Sequence, residues 1–284
     1  MTHAMRAVRR FKSEVALLIA LADLGDVWSV PIVTEALTRA ADAALRASVD
    51  FLLGHASRRG DIKVPDPATP GQGSGYIVLA MGKYGAGELN YSSDIDLVVF
   101  YDTERARLRT GLEPSTFFVR LTRDLVRLMD ERTSDGYVFR TDLRLRPDAG
   151  ATQIALSTDA ALIYYESFGQ NWERAALIKA RAAAGDIEAG ESLLNELQPF
   201  VWRRYLDFAA IADVHAMKRQ IHAFRGLGSI GVAGHNVKLG AGGIREIEFF
   251  VQTQQLIAGG RQTDLRVRRT LDALERLEAR QWIS

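Results

Sequence analysis

Asp94 and Asp96 stand one residue apart in the stretch GKYGAGELNYSSDIDLVVFYD, residues 82–102. In a strand, residues two apart point the same way, so both carboxylates project from one face while Ile95 and Leu97 enter the core. Two carboxylates held that close repel each other unless a cation sits between them. Mg²⁺ suits such a place, because it takes oxygen ligands and binds a few carboxylates together with substrate phosphates. A strand end with two solvated aspartates is the other reading of a bare D-x-D. The preceding glycines favour the first. Gly82, Gly85 and Gly87 let backbone come close to a ligand, and turns of this kind expose N–H groups to phosphate. Gly82, Lys83, Gly85, Ser92 and Ser93 are therefore candidate nucleotide- or phosphate-binding positions.

A second segment strengthens the case. YVFRTDLRLR, residues 137–146, alternates strictly and predicts a strand. Asp142, Arg144 and Arg146 share parity in it, with Leu143 and Leu145 on the opposite face. An acid beside two arginines offers a third metal ligand next to groups that grip phosphate. An ordinary surface ladder with an Asp–Arg pair is the alternative, but it predicts no neighbouring acidic pair. Two metals with in-line displacement at phosphorus is the chemistry that Asp94, Asp96 and Asp142 would support.

Several elements must position these residues. YIVLAM (76–81) and IDLVVFY (95–101) have the β-branched and aromatic content of buried strands. Apolar residues at 117, 118, 121, 125, 128 and 129 mark one face of a helix over 117–131. Residues 1–54 predict two helices, the second opened by Ser29 as N-cap with Pro31 in its first turn. Residues 54–75 are a Pro- and Gly-rich connection. After Pro147, helices are expected over 158–168, 171–184, 187–197, 207–224, 244–258 and 264–281. The last lacks a convincing C-cap, so the sequence is expected to be cut from a longer chain. The expected fold is α+β: an N-terminal helical segment over 1–60, a core with a small mixed sheet over 61–150, and a C-terminal helical bundle over 151–284.

Composition excludes other classes. Lys and Arg number 36 and Asp and Glu 35, so no bulk polycation favours nucleic acid. With no cysteine, disulfides, thiolate-bound zinc and thiol nucleophiles are excluded. The opening stretch is basic and then apolar, but Lys12, Ser13 and Glu14 interrupt it and no small-residue cleavage site follows, which predicts an amphipathic helix. No membrane span is expected, and the expected location is cytoplasmic. None of His3, His55, His215, His222 and His235 has metal-ligand spacing.

The stretch AMGKYGAGELNYSSDIDL resembles the bacterial glutamine-synthetase adenylyltransferase and adenylyl-removing enzymes, a branch of the polymerase-beta-like nucleotidyltransferases. The resemblance runs on through RTDLRLRP, NWERAALIKAR, PFVWRRYLDF and NVKLGAGGIREIEFF. Ala80 stands where the pattern has glycine before Met81. The resemblance implies a nucleotidyltransferase core and a two-metal site for Mg²⁺, with Mn²⁺ able to replace it. It also implies adenylylated glutamine synthetase, phosphate, ADP or ATP, and a PII-type nitrogen signal protein as partners. FVWRRYLDF and KLGAGGIREIEFF resemble the half that removes AMP by phosphorolysis. ATP-dependent adenylylation of the same tyrosine, and a non-catalytic sensing domain, are the rival readings. Arg144, Arg146, Lys179, Arg181, Arg203, Arg204, Lys238 and Arg245 supply cations in the motif segments, each with a solvated surface position as its alternative. Glu246 and Glu248 cannot both face one metal on a helix. Glu248 is the favoured further ligand, and a surface Arg245–Glu248 pair is the other reading. On a helix through NWERAALIKAR, Trp172 and Leu177 are expected to pack, with Glu173, Lys179 and Arg181 facing a cleft.

Overall fold

A computed structural model describes residues 1–204, 235–238 and 240–283. The helix expected over 207–224, with His215 and His222, lies outside the described residues. The chain forms two compact units, one of residues 1–167 with 180–197 and one of residues 168–179 with 198–284.

The first unit is α+β. Helices α1 (Thr2–Leu24) and α2 (Val30–Arg58) precede β1 (Tyr76–Ala80), short helix α3 (Gly82–Ala86), β2 (Ile95–Tyr101) and α4 (Pro114–Asp130). Two-residue strands β3 (Thr141–Asp142) and β4 (Leu156–Ser157) lead into α5 (Thr158–Ser167). After α6 (Asn171–Leu177) of the second unit come β5 (Arg181–Gly185) and α7 (Ile187–Glu196). The sheet runs β3-β2-β1-β5, with β4 also on β2. It is mixed: β1 is antiparallel to β2 and β5, while β3 and β4 run parallel to β2.

The N-terminal helices share a core with this sheet. Leu37, Ala41, Leu45, Val49 and Leu52 form one face of α2 and are buried with Val78, Val99, Phe118, Leu125 and Met129. Apolar residues recurring every three or four positions give α2 and α4 one buried stripe each. Arg9 is 1% exposed, yet its guanidinium is satisfied. It donates to the carbonyls of Leu128, Glu131 and Gly136, where α4 ends, and to Met5 of its own helix. The last carbonyls of a helix lack internal partners, so a buried guanidinium fits there. No described helix is long and apolar enough to cross a membrane.

Three expected elements differ. The strand over 137–146 shrinks to Thr141–Asp142, because the Asp142 carboxylate accepts the Arg144 backbone N–H and turns the chain. Such side-chain-to-backbone bonds compete with a ladder. Asp142, Arg144 and Arg146 therefore do not share one strand face. The helix over 171–184 stops at Leu177, and Arg181–Gly185 is a strand paired with β1. Its alanines favour helix locally, but Ala182 to Ala184 are buried in the sheet, and packing overrides propensity. Finally, a 3₁₀ turn Thr263–Leu265 and a helix Thr270–Ala279 replace one helix over 264–281. Gln255 donates to the carbonyls of Leu265 and Val267 and holds the segment between them out of helix.

The second unit buries Val251, Ala258, Leu265, Ala273 and Leu277 between helix Ile244–Ala258 and helix Thr270–Ala279.

Candidate functional site

β2 is buried along its whole length except at Asp96, which is half-exposed. Hydrophobic residues at 95 and 97–101 pin the strand between two packed faces, and the aspartate lies where that cover ends. Parallel pairing puts Asp96 opposite Asp142 and Ile95 opposite Thr141. Residues directly opposite on adjacent strands project to the same side, with strands about 4.8 Å apart. Asp94 lies just ahead of β2 on the same parity. The three acids thus belong to one end of the sheet.

Gly82 fits against them. Its φ is +53°, and an added Cβ would stand 2.6 Å from Asp96 Oδ2. The Met81 N–H donates to the Asp96 carbonyl at 2.9 Å, so the turn after β1 is fastened to the acid on backbone and side chain alike. The glycine-rich turn is otherwise a short helix, not an open loop. The Gly85 N–H donates to Met81 and the Gly87 N–H to Tyr84, so neither amide is free for phosphate. Lys83 is half-exposed on α3. Ser92 is exposed in the turn before Asp94, and the Ser93 N–H donates to Asn90.

Two guanidiniums accompany the acids. Arg144 donates from its backbone N–H and Nε to Asp142 Oδ1 at 2.9 and 3.0 Å, and from Nε and Nη2 to Oδ2. These bonds hold the Asp142 carboxyl below the ordinary aspartate range. Arg144 is raised by Asp142 first, and by Asp96 and Asp94 as well. Arg140 donates to Asp94 Oδ1 and, at 2.8 Å, to the Ser92 carbonyl. Among the described residues no three Asp, Glu or His side chains are grouped closely enough to hold a metal by themselves. The donor set nevertheless suits a hard divalent cation: carboxylate oxygens in register and a glycine leaving Asp96 its space.

Arg146 lies in the loop after β3. It donates to the carbonyls of Leu143, Ala149 and Thr152, at 2.9, 2.7 and 3.3 Å, and ties together the loop after β3. Arg181 pairs with Asp42 of α2 at 2.7 Å and lies over the Tyr84 ring. The Tyr84 hydroxyl donates to the same Asp42 oxygen, and burial pushes that phenol well above its ordinary range.

The remaining candidates lie in the second unit. The Lys179 ammonium, 3% exposed as a residue, donates to Glu248 at 2.8 Å and Thr270 at 3.0 Å. Glu248 is thus held by Lys179, and the alternative Arg245–Glu248 pair is not among the contacts of the described residues. Arg245 and Lys238 are exposed and linked by a backbone hydrogen bond of 3.1 Å. Glu173 is buried, not facing a cleft, because its carboxylate accepts the Gln170 N–H in a capping box. Trp172, expected to pack, is 37% exposed. Arg203 and Arg204 are exposed.

Arg140 and Asp42 are the residues that sequence reasoning missed. Arg140 has the same even parity as Asp142 and Arg144, so the signal was present. Asp42 is an acid beside the apolar stripe of α2, a weaker signal.

Residues 1–196 match the family described as glutamate-ammonia ligase adenylyltransferase. The chain belongs to that family. Residues 214–284 match a second family, described as GlnD PII-uridylyltransferase. Several curated relatives carry the name bifunctional glutamine synthetase adenylyltransferase/adenylyl-removing enzyme. The one from Xanthobacter autotrophicus is 64% identical over 98% of this chain. Those from Rhodopseudomonas palustris and Bradyrhizobium diazoefficiens are 61% and 60% identical over 99% of it. The chain spans 28% of the length of each of these three.

Proposed function

We propose that this chain carries the adenylyl-removing activity of its family: glutamine synthetase adenylylated on tyrosine, with inorganic phosphate, gives unmodified glutamine synthetase and ADP. The observation that supports adenylyl-transfer chemistry, in either direction, is the in-register pairing of Asp96 with Asp142 at the sheet end that also bears Asp94. The names of the relatives supply the substrate.

In this reaction a phosphate oxygen attacks the adenylyl phosphorus, the bond from phosphorus to the tyrosine oxygen breaks, and that oxygen takes up a proton. Asp94, Asp96 and Asp142 would hold Mg²⁺, or Mn²⁺ in its place, which when bound neutralises phosphate oxygens and polarises the phosphorus. Arg144, at the edge of the cluster, would meet the incoming anion with a two-pronged donor. Gly82 keeps the Asp96 carboxylate free of crowding. Arg146 holds the loop that presents Arg144. Nucleotide and phosphate contacts from Lys83, Ser92 and Ser93 belong to the same reading.

The opposite direction, attachment of AMP from ATP to the same tyrosine, has one specific observation in its favour: the relatives' names carry both activities. The resemblance of FVWRRYLDF and KLGAGGIREIEFF to the removing half is what favours removal. The match of residues 214–284 to a PII-uridylyltransferase family supports a PII-type signal protein as regulator. The reaction would take place in the cytoplasm, with its substrate.

The test offers the chain adenylylated glutamine synthetase with Mg²⁺ and labelled phosphate. Label in the β-phosphate of ADP is the expected result. AMP as sole product would mean that water attacks, and efficient labelling of unmodified enzyme from ATP would establish the opposite direction. Asp96→Asn should lower the rate by roughly 10²-fold or more while leaving the fold intact.

A further inference from the structure

Two acids of the cluster meet a cation of this chain's own. Asp142 is gripped by Arg144 and Asp94 by Arg140. Both arginines come from the segment that carries Asp142, one on either side of β3. The arrangement meets a physical need. Asp96 and Asp142 are fixed opposite each other by strand pairing, and like charges so placed require compensation whether or not a metal is bound.

The two ion pairs are also made to be exchanged. The Arg144 side chain is 85% exposed and that of Arg140 52%, so water screens both contacts and keeps them weak. Compare Arg9 and Arg174, each 1% exposed and locked onto main-chain carbonyls. Those two cannot leave without stranding a buried charge. Arg140 and Arg144 can swing into solvent at little cost.

We propose that Arg140 and Arg144 are internal counter-ions of the acidic cluster, which a divalent cation displaces when it binds. The inference rests on the reading of Asp94, Asp96 and Asp142 as cation ligands. It explains why the acids are not drawn together around one point: Asp142 is held toward Arg144 and Asp94 toward Arg140.

Mn²⁺ is the probe, titrated into the chain without nucleotide and followed by electron paramagnetic resonance of the free ion. Arg140→Gln and Arg144→Gln should each tighten Mn²⁺ binding by about two- to fivefold, and the double variant by more than either. Arg127→Gln removes the same charge from an exposed ion pair with Glu131 on α4 and should leave the affinity unchanged. In the wild-type chain, Mg²⁺ should move the Nε resonances of Arg140 and Arg144 toward those of free arginine. Unchanged or weaker Mn²⁺ binding in both single variants would overturn the inference. So would equal tightening by Arg127→Gln, since that is a general effect of charge. Asp96→Asn separates the two levels. If it abolishes binding while the arginine variants change nothing, the counter-ion inference alone fails. If Mn²⁺ binding survives it at wild-type affinity, the cation-ligand reading fails and takes the inference with it.

Discussion

A Cβ at Gly82 would stand 2.6 Å from Asp96 Oδ2, whereas one at Gly60 would meet nothing within 4 Å. Both glycines have positive φ, +53° and +76°. The pair therefore separates backbone strain from crowding of the carboxylate. Each alanine variant should lose about 1–2 kcal/mol of stability, the usual cost of a side chain in the left-handed region. Only Gly82→Ala should also lose Mn²⁺ binding and turnover, because Asp96 must move to make room. Thermal melts beside Mn²⁺ titrations of the two variants check this. Equal retention of Mn²⁺ affinity in both would show that Asp96 needs no such clearance. At this scale the proposed cation site depends on an absent side chain as much as on those present.

Strand β5 shows how an element can contradict its own composition. ARAAAG reads as helix, yet it supplies the sheet edge beside β1 and is covered by α2 and α7. Small side chains make that close packing possible: a Cβ on Gly190 of α7 would lie 2.8 Å from Ala182 Cβ. Gly185 closes the strand at φ +78°, with Tyr76 O only 1.9 Å from where its Cβ would be. That neighbour is main chain and cannot rotate away. Gly185→Ala should therefore cost about 2–4 kcal/mol through strain and a displaced β1–β5 pairing. Urea unfolding measures it, and a loss under about 1 kcal/mol would mean that the edge pairing adjusts freely. The segment after Asp142 makes the same point from the other side. Its alternation favours a strand, but a carboxylate that captures its own backbone two residues on ends the ladder.

Across the first unit, Asp42, Tyr84 and Arg181 tie α2, α3 and β5 to one another through a single carboxylate. The Asp42 and Arg181 side chains are 18% and 17% exposed, so neither charge is well hydrated. Removing one partner leaves the other under-compensated. Asp42→Ala should destabilise the chain by about 2–3 kcal/mol, below the usual 3–5 for a fully buried pair because water still reaches both groups. The double variant Asp42→Ala/Arg181→Ala should recover part of the loss, with a coupling of about 1–3 kcal/mol in a double-mutant cycle. Strict additivity would show that Arg181 does not depend on Asp42. This places Arg181 as a tie between N-terminal helices and sheet.

Strands β1 and β2, helices α1, α2, α4, α5 and α7, helix Ile244–Ala258, and the parity of Asp94 and Asp96 could be read from the sequence. Each depends on a period in the chain itself: two for a strand, 3.6 for a helix, with a proline or a glycine to mark an end. Tertiary structure decided the rest. Asp142 reaches Asp96 only because β3 pairs with β2 in parallel register, a contact across 46 residues that no local pattern encodes. Arg181 belongs to a strand because β1 offers an unpaired edge, and Lys179 faces Glu248 because two segments distant in sequence fold together. Periodicity says which face a residue occupies. What stands opposite that face depends on long-range packing, and here it determined which cations meet the acids and which hold the fold.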